Sequence, residues 1–488
     1  MEERRNREAA GLIIRNMDEL TSHGNIEGRR EALCILEAGL EASDPYDNTR
    51  KLIRIQDGKL IVGHKDFIRR ENPSMLTVKL PLQFDLSEIG SVYVVGGGKA
   101  AQRMAKAMED ALGDLITDGQ INAKKGEPLM LRRIKVTFAG HPMPDEDSIE
   151  GARRIMEIEQ KARKGDIVFL SLSGGASALT ALPGPGLSLK DIQDVTRMLY
   201  FQRGASMPET NAVRGNLVML RHERLVGDAT LIQFVTEEFP PEIPLARIHA
   251  KRSQSLSSSY SGAIEVLKRF QIWDLVPRSV RLYLEKSNPE YGPIRREDVE
   301  GRPRYYFRPF GPEYMLEGAR RRADEKGISA HVLVSSLNDI EARAVGDMMA
   351  FIAQEVEVNG RPFKPPCVIL FGGESRVAIG DSTGRGGRNQ EFVLSAAPRV
   401  EDSRNIVVAS ADSDGTDGPT DVAGGLVDGY TMERTRKAEL NVFDELGNHN
   451  SHEVLARLGD TIITGALSTN VRGLGVVYVA GMSGPLRQ

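Results

Sequence analysis

Hydrophobic and polar positions along the chain fall into two alternating patterns. Near the start, Leu12, Ile13, Met17 and Leu20 recur at helical spacing, as do Ala32, Leu33, Leu36 and Leu40, predicting two helices within the first 42 residues. Short strand candidates follow at 52–55 and 59–62, in a more variable stretch that runs to about residue 90. Beyond it a β-branched run ending in a loop of small residues recurs: "VYVVGGG" (92–98), "KVTFAGHP" (135–142), "IVFLSLSGG" (167–175), "VILFGGES" (368–375) and "IVVASADSDG" (406–415). Helical segments lie between several of these runs, at 148–163, 188–202 and 339–357.

Strands alternating with helices predict a parallel sheet buried on both faces, which is the α/β class. In such folds ligands bind off the carboxyl ends of the strands, where these glycine-rich loops sit. The stretch 277–312 is proline-rich, charged and without periodicity, and predicts an interdomain connection able to act as a hinge. The stretch 237–261, with "EEFPPEIP" and a serine cluster, predicts a surface excursion. The expected division is therefore 1–305, carrying the two leading helices, and a smaller 306–488.

Composition narrows the class without naming a function. The chain has 488 residues, 40% hydrophobic and 27% charged, enough for two buried cores. A formal net charge of −4 gives no global attraction to nucleic acid or anionic membrane. No apolar run approaches the roughly 20 residues needed to span a bilayer. The opening "MEERRNREAAGLIIRNMDEL" lacks the apolar block of a secretion signal. Two cysteines, Cys34 and Cys367, cannot build a disulfide framework or a cysteine zinc site. A soluble cytoplasmic protein is the expectation.

The loops supply the candidate chemistry. In "VVGGGKAAQRM" a strand breaks on glycines and enters a helix, an arrangement that aims backbone N–H groups at an anion, with Lys99 at the break. Gly96, Gly98 and Ala101 also fit the permissive G-x-G-x-x-A dinucleotide fingerprint, but no acidic residue ends the next strand to hold a ribose. Ser173, Gly174, Gly175 and Ser177 offer hydroxyls and bare backbone to a phosphate or carboxylate. His141 and Asp145 stand at another strand end, where a hydrogen-bonded turn histidine is the commoner outcome than a catalyst. Further on, Glu374, Arg385 and Arg388 sit in a glycine-rich stretch suited to a planar anion. Asp412, Asp414, Asp417 and Asp421 admit two readings: a Mg²⁺ site completed by nucleotide phosphates, or a series of Asx turns.

Taken in order, "GGGKA", "GHPMPD", "SLSGGASAL", the N-x-VR of Asn211–Arg214, "FGGE", "GRGGRNQE", "DSDGTDGPTD" and "TNV" resemble the glycerate 2-kinases whose C-terminal part is the MOFRL domain. The resemblance runs from about residue 91 to 480. It implies an N-terminal Rossmann-like domain, a smaller α/β domain and an active site in the cleft between them. It implies transfer of phosphate from ATP, with Mg²⁺, to the 2-hydroxyl of D-glycerate or a related small hydroxy acid. Lys99, Arg388 and Glu374 are then the expected catalytic residues. Gly97, Gly98, Ser173, Gly174, Gly175, Ser177, Asn211, Arg214, Gly387 and Asn389 are the expected nucleotide or substrate contacts, and Asp412, Asp414 and Asp417 the metal set. No nucleic acid or membrane partner is expected, and a homodimer is kept open. Two other readings stand beside this one: an impaired homologue that senses a nucleotide or sugar acid, and an NAD(P)-dependent hydroxypyruvate reductase.

This chain also departs from the family. The stretch after Arg214 reads "GNLVMLRHERL" where the family has a serine-rich "SxIKGG". The family's "SDVPGD" aspartate, implicated in catalysis, has no counterpart, since no aspartate lies between Asp228 and Asp274. Glu237 and Glu238 are the nearest substitutes. The family's "TGPTGTNV" reads "TGALSTNV".

Overall fold

A computed structural model describes residues 13–64, 81–205, 207–236, 259–467, 469 and 471–481. They form two compact units: 45–236 with 259–309, and 13–44 with 310–481.

The first unit opens with a small antiparallel sheet of β1 (Ile53–Gln56), β2 (Lys59–Val62) and β3 (Leu82–Asp85). Its main sheet contains β4 (Val92–Gly97), β5 (Ile116–Lys124), β6 (Lys135–Ala139), β7 (Ile167–Leu172), β8 (Thr230–Val235) and β9 (Arg304–Phe307). The strand order is β6-β5-β4-β7-β8-β9 and every pairing is parallel. Every residue of β4 is buried, as a strand covered by helices on both faces requires. From β4 the chain lays β5 and β6 on one side, then returns to lay β7, β8 and β9 on the other. The strand order therefore reverses between β4 and β7, and that crevice is where doubly wound sheets place their ligands.

The stretch 277–312, expected as a connection, is instead largely part of this unit. Arg278–Lys286 is a helix that buries Val280 and Leu284, and β9 completes the sheet. Buried Arg304 fixes that strand by donating to the carbonyls of Ala229 (2.7 Å) and Glu223 (2.9 Å). A four-residue strand whose partner lies far upstream leaves no local periodicity to read.

The second unit is a mixed sheet ordered β10-β11-β15-β12-β13-β14. Its strands are β10 (Ser329–Glu341), β11 (Cys367–Arg376), β12 (Ile406–Asp412), β13 (Gly424–Asp428), β14 (Thr461–Ile462) and β15 (Gly473–Val479). Only β10 and β11 run parallel; β15 inserts antiparallel between β11 and β12. Parallel pairing therefore fails here as an expectation, because the last strand of the chain takes a central place.

The leading helix, Ile26–Ala42, packs on β15 and β12 beside the helix Pro312–Glu325. Gly39 and Gly318 allow that approach: a Cβ on Gly39 would stand 2.4 Å from Leu474, and one on Gly318 2.3 Å from Ala42. Buried Arg29 bridges Asp428 (2.5 Å) and Asp460 (2.7 Å) from the same sheet region. The leading helix thus belongs with 310–481, not with the N-terminal domain as expected. Of the first expected helix only the turn Met17–Leu20 is present among the described residues, and Leu12 lies outside them.

Candidate functional site

In the first unit the loops after β4 and β7 meet at the reversal point. Ser173 N–H donates to the Gly97 carbonyl (3.2 Å), and Lys99 N–H to that of Gly174 (2.9 Å). The Ser173 hydroxyl accepts from Ala100 N–H at 2.9 Å. Gly98 has φ +131°, and a Cβ there would stand 2.2 Å from the Ser173 oxygen, so only glycine allows the two loops to touch. Ala101 N–H is also taken, by Gly98 O (3.2 Å). The amides of residues 99–101 are thus spent inside the fold and do not form the anion nest expected at this turn. The amides of Gly174 and Gly175 have no partner among the described residues, so the nest lies one loop further along. Half-buried Lys99 stands beside it.

Arg214 is the most telling residue of this unit. It lies on the helix Met207–Leu217, one turn from Asn211, so both side chains share a face. Its Nη2 donates to the Ser177 hydroxyl (2.6 Å) and to Asn211 Oδ1 (2.8 Å), and its Nη1 to the Pro142 carbonyl (3.4 Å). Ser177 in turn donates to Asn211 at 2.9 Å. Arg214 is only 2% exposed, its Nε has no partner among the described residues, and no carboxylate there pairs with it. Burial alone drives its pKa down to about 10. A buried cation held only by neutral acceptors is poised for an anion.

Three further groups surround this cluster. Lys124 ends β5, and Glu127 follows it, its carboxyl pushed up to about 6 by burial against hydrogen bonding and the pull of Lys124 and Lys99. His141 follows β6, with its imidazole near Gly175 and driven down to about 4 by burial, then by Lys99, Lys124 and Arg214. The expectations passed over Lys124 and Glu127; a charged residue at a parallel strand's carboxyl end is the signal that could have found them. Asp145, paired with His141 in the sequence, instead caps the helix Glu146–Lys161 by accepting from Ser148 N–H (3.1 Å), and binds Lys125 (2.6 Å). In the rewritten stretch, Arg221 is a buried staple that donates to the carbonyls of Gly215 (2.8 Å), Tyr291 (3.0 Å) and Gly292 (3.0 Å). Glu237 and Glu238 lie outside the described residues.

In the second unit, Gly387 caps the helix Arg388–Ala396, and Arg388 reaches back to β11 and β12. Its Nη1 donates to Glu374 at 2.8 Å, and its Nη2 to Asp412. Arg472 also approaches Glu374, at 3.5 Å. Burial works against the Arg388 charge, yet Asp412 and then Glu374 hold its pKa above the ordinary value. Asp412 is pushed up to about 7 by burial, with Asp414 and Asp417 adding to the effect and Arg388 opposing it. Leu337, Phe371, Gly373, Ser410 and Gly473 line a depression beside Arg388 and Asn389.

The expected metal set is not assembled. Among the described residues no three His, Cys, Asp or Glu side chains converge on a point that could hold a metal. Asp417 is buried, and its two oxygens accept from the N–H and side-chain amides of both Asn389 and Gln390, at 2.9–3.0 Å. It anchors a helix N-terminus, where negative charge is favoured. Asp414 forms the Asx turn to Thr416 N–H (2.9 Å), and Asp412 belongs to Arg388. Asn389, expected as a ligand contact, is likewise engaged: it donates to Asp417 and accepts from the Ser410 hydroxyl at 2.7 Å.

Comparison with known proteins finds two family models along the chain. Residues 31–285 match a family described as a domain of unknown function, DUF4147, and residues 367–473 match the MOFRL family. A glycerate 2-kinase of Pyrococcus horikoshii is 35% identical over 460 residues, covering 93% of this chain and 98% of that protein. A D-glycerate 2-kinase of Thermotoga maritima is 35% identical over 387 residues, 78% of this chain and 89% of that one. A crystal structure of a glycerate kinase from Thermotoga maritima superposes with a TM-score of 0.75 at 30% identity, covering 92% and 99% of the two chains. With both families matched and the likeness sustained along nearly its whole length, the chain belongs to the glycerate 2-kinase family that carries a MOFRL domain.

Proposed function

We propose that the protein transfers the γ-phosphoryl group of MgATP to the 2-hydroxyl of D-glycerate or a closely related hydroxy acid. Family membership supports a phosphotransferase with an alcohol acceptor. The observation that carries the reading is Arg214, buried and, among the described residues, without a carboxylate, close to the Gly174 and Gly175 amides that have no partner among those residues. Phosphoryl transfer depends on positioning and charge neutralisation more than on covalent chemistry. Lys99, Arg214 and the two amides supply positive potential on the first unit. On the second unit, Glu374 and Asp412 set the orientation of Arg388, and Arg472 also approaches Glu374. The acidic loop does not fit a protein-built metal cage, so Mg²⁺ enters with the nucleotide as substrate. The reductase reading loses its support, because the amides at the expected pyrophosphate position are bonded within the fold.

The test is to follow ADP release by the pure protein with MgATP and a panel of C3–C6 hydroxy acids. D-Glycerate is expected to stimulate release and to yield 2-phosphoglycerate. Ligand binding without any stimulated release would favour the sensor reading, and oxidation of NADH by hydroxypyruvate would overturn both. Lys99→Ala should lower turnover by about 100-fold or more through lost charge stabilisation. Its melting temperature should stay within about 2 °C of the parent, because the site is only half-buried.

A further inference from the structure

Phosphorylating an alcohol releases the hydroxyl proton, and a side chain with a free lone pair beside the acceptor site can receive it. We propose that His141 is the general base that receives the proton of the acceptor hydroxyl. This rests on the phosphotransferase reading above.

Geometry carries the inference. The imidazole follows β6, in a loop whose far end is fixed by the Asp145 cap. Its Cδ2–Nε2 edge faces Gly175: a Cβ there would lie 3.0 Å from Cδ2 and 3.1 Å from Nε2. Glycine, at φ +90°, therefore keeps the ring beside the unspent amides. Among the described residues nothing hydrogen-bonds either ring nitrogen. The ring is half-buried, so its nitrogens are open to a bound hydroxyl or to water. The charged groups facing it are Lys99 from the turn after β4, Lys124 from the end of β5, and Arg214 from the helix Met207–Leu217. All three are cations, and with burial they keep the ring unprotonated at neutral pH.

The same cations couple the base to its substrates. A hydroxy-acid carboxylate and nucleotide phosphates offset Lys99, Lys124 and Arg214, so the ring gains basicity only when anions fill the site. In the step itself the 2-oxygen bonds to the γ-phosphorus as the bond from that phosphorus to its bridging oxygen breaks, leaving the electron pair on ADP. The hydroxyl proton passes to the ring nitrogen that carries the lone pair, and leaves to solvent after product release.

His141→Gln keeps a side chain of similar reach but cannot take the proton. Its kcat should fall about 100-fold or more, the range of a lost general base, while KM for glycerate and ATP moves less than about threefold. The acid limb of the kcat–pH profile should vanish with it. A kcat within about threefold of the parent, or a loss confined to KM, would overturn the proposal. Histidine-labelled NMR on the unaltered protein gives a check that does not depend on the variant folding. The His141 resonance should titrate at least about one pH unit higher with D-glycerate and a non-hydrolysable ATP analogue bound. An unmoved titration also overturns it. If the parent protein releases no ADP, the phosphotransferase reading fails first, and the base assignment falls with it.

Discussion

A guanidinium buried without a carboxylate costs several kcal/mol that hydrogen bonds to neutral acceptors only partly offset. Among the described residues Arg214 has no carboxylate partner and bears that cost, which an anion would relieve. Arg214→Met should therefore weaken binding of ATP or glycerate at least about tenfold without lowering the melting temperature, since Ser177 and Asn211 can still bond each other. Titration calorimetry and thermal denaturation on the same variant check both halves. Asp412 is the counterpart on the other unit. Its folded-state value of about 7 lies above that of an unfolded aspartate, so the folded protein binds an extra proton between those values. Stability from this group is present at low pH and is lost as pH rises from about 4 to 7. Asp412→Asn should flatten the urea midpoint across that window; an unchanged slope would show that the carboxyl stays ionised.

At the scale of elements, the helix Arg388–Ala396 shows how an acidic motif is used. Asp417 closes its N-terminus with four donors, so Asp417→Asn should cost about 2–4 kcal/mol in denaturant titrations. The Mg²⁺ concentration for half-maximal turnover should not move. A large change there, with stability intact, would bring back the metal reading of this loop. Arg388 begins the same helix, so the carboxylate that fixes the helix also fixes the arginine's starting point. The first unit works alike: the Ser173 hydroxyl holds the turn that presents Lys99, and Asn211 with Ser177 holds Arg214.

For the whole molecule, the informative feature is the leading helix. It covers Leu474 and Val407 of the second sheet and sends Arg29 to Asp428 and Asp460. A fragment starting at residue 306, the boundary read from composition, should then fail to melt cooperatively. It lacks that cover and leaves buried Asp428 without Arg29, while Asp460 keeps Arg434, a loss of about 3–5 kcal/mol. Co-expression with residues 1–44 should restore a cooperative transition, and a fragment that melts well alone would refute this packing.

The strands that carry the loops were legible in the sequence. The runs at 92–98, 135–142, 167–175, 368–375 and 406–415 contain β4, β6, β7, β11 and β12 almost residue for residue. Buried strands must be apolar along their whole length, and their loops must be small where two backbones touch, so composition there is forced. The family could also be read, because its loop motifs have fixed order and spacing. Pairing between distant segments could not be read. Periodicity shows that a helix buries a face or a strand buries both, but not against which partner. Hence the composition of β9 reads as a linker, periodicity does not say which sheet the leading helix covers, and nothing in the runs announces the antiparallel insertion of β15. The same limit governed the site. Lys99, Arg214 and Arg388 stand out by residue type, but whether a carboxylate meets a metal, an arginine or a helix end depends on what the fold brings beside it. Only the tertiary structure decided that Asp417 anchors a helix, that Arg214 has no counter-ion among the described residues, and that His141 stands among three cations.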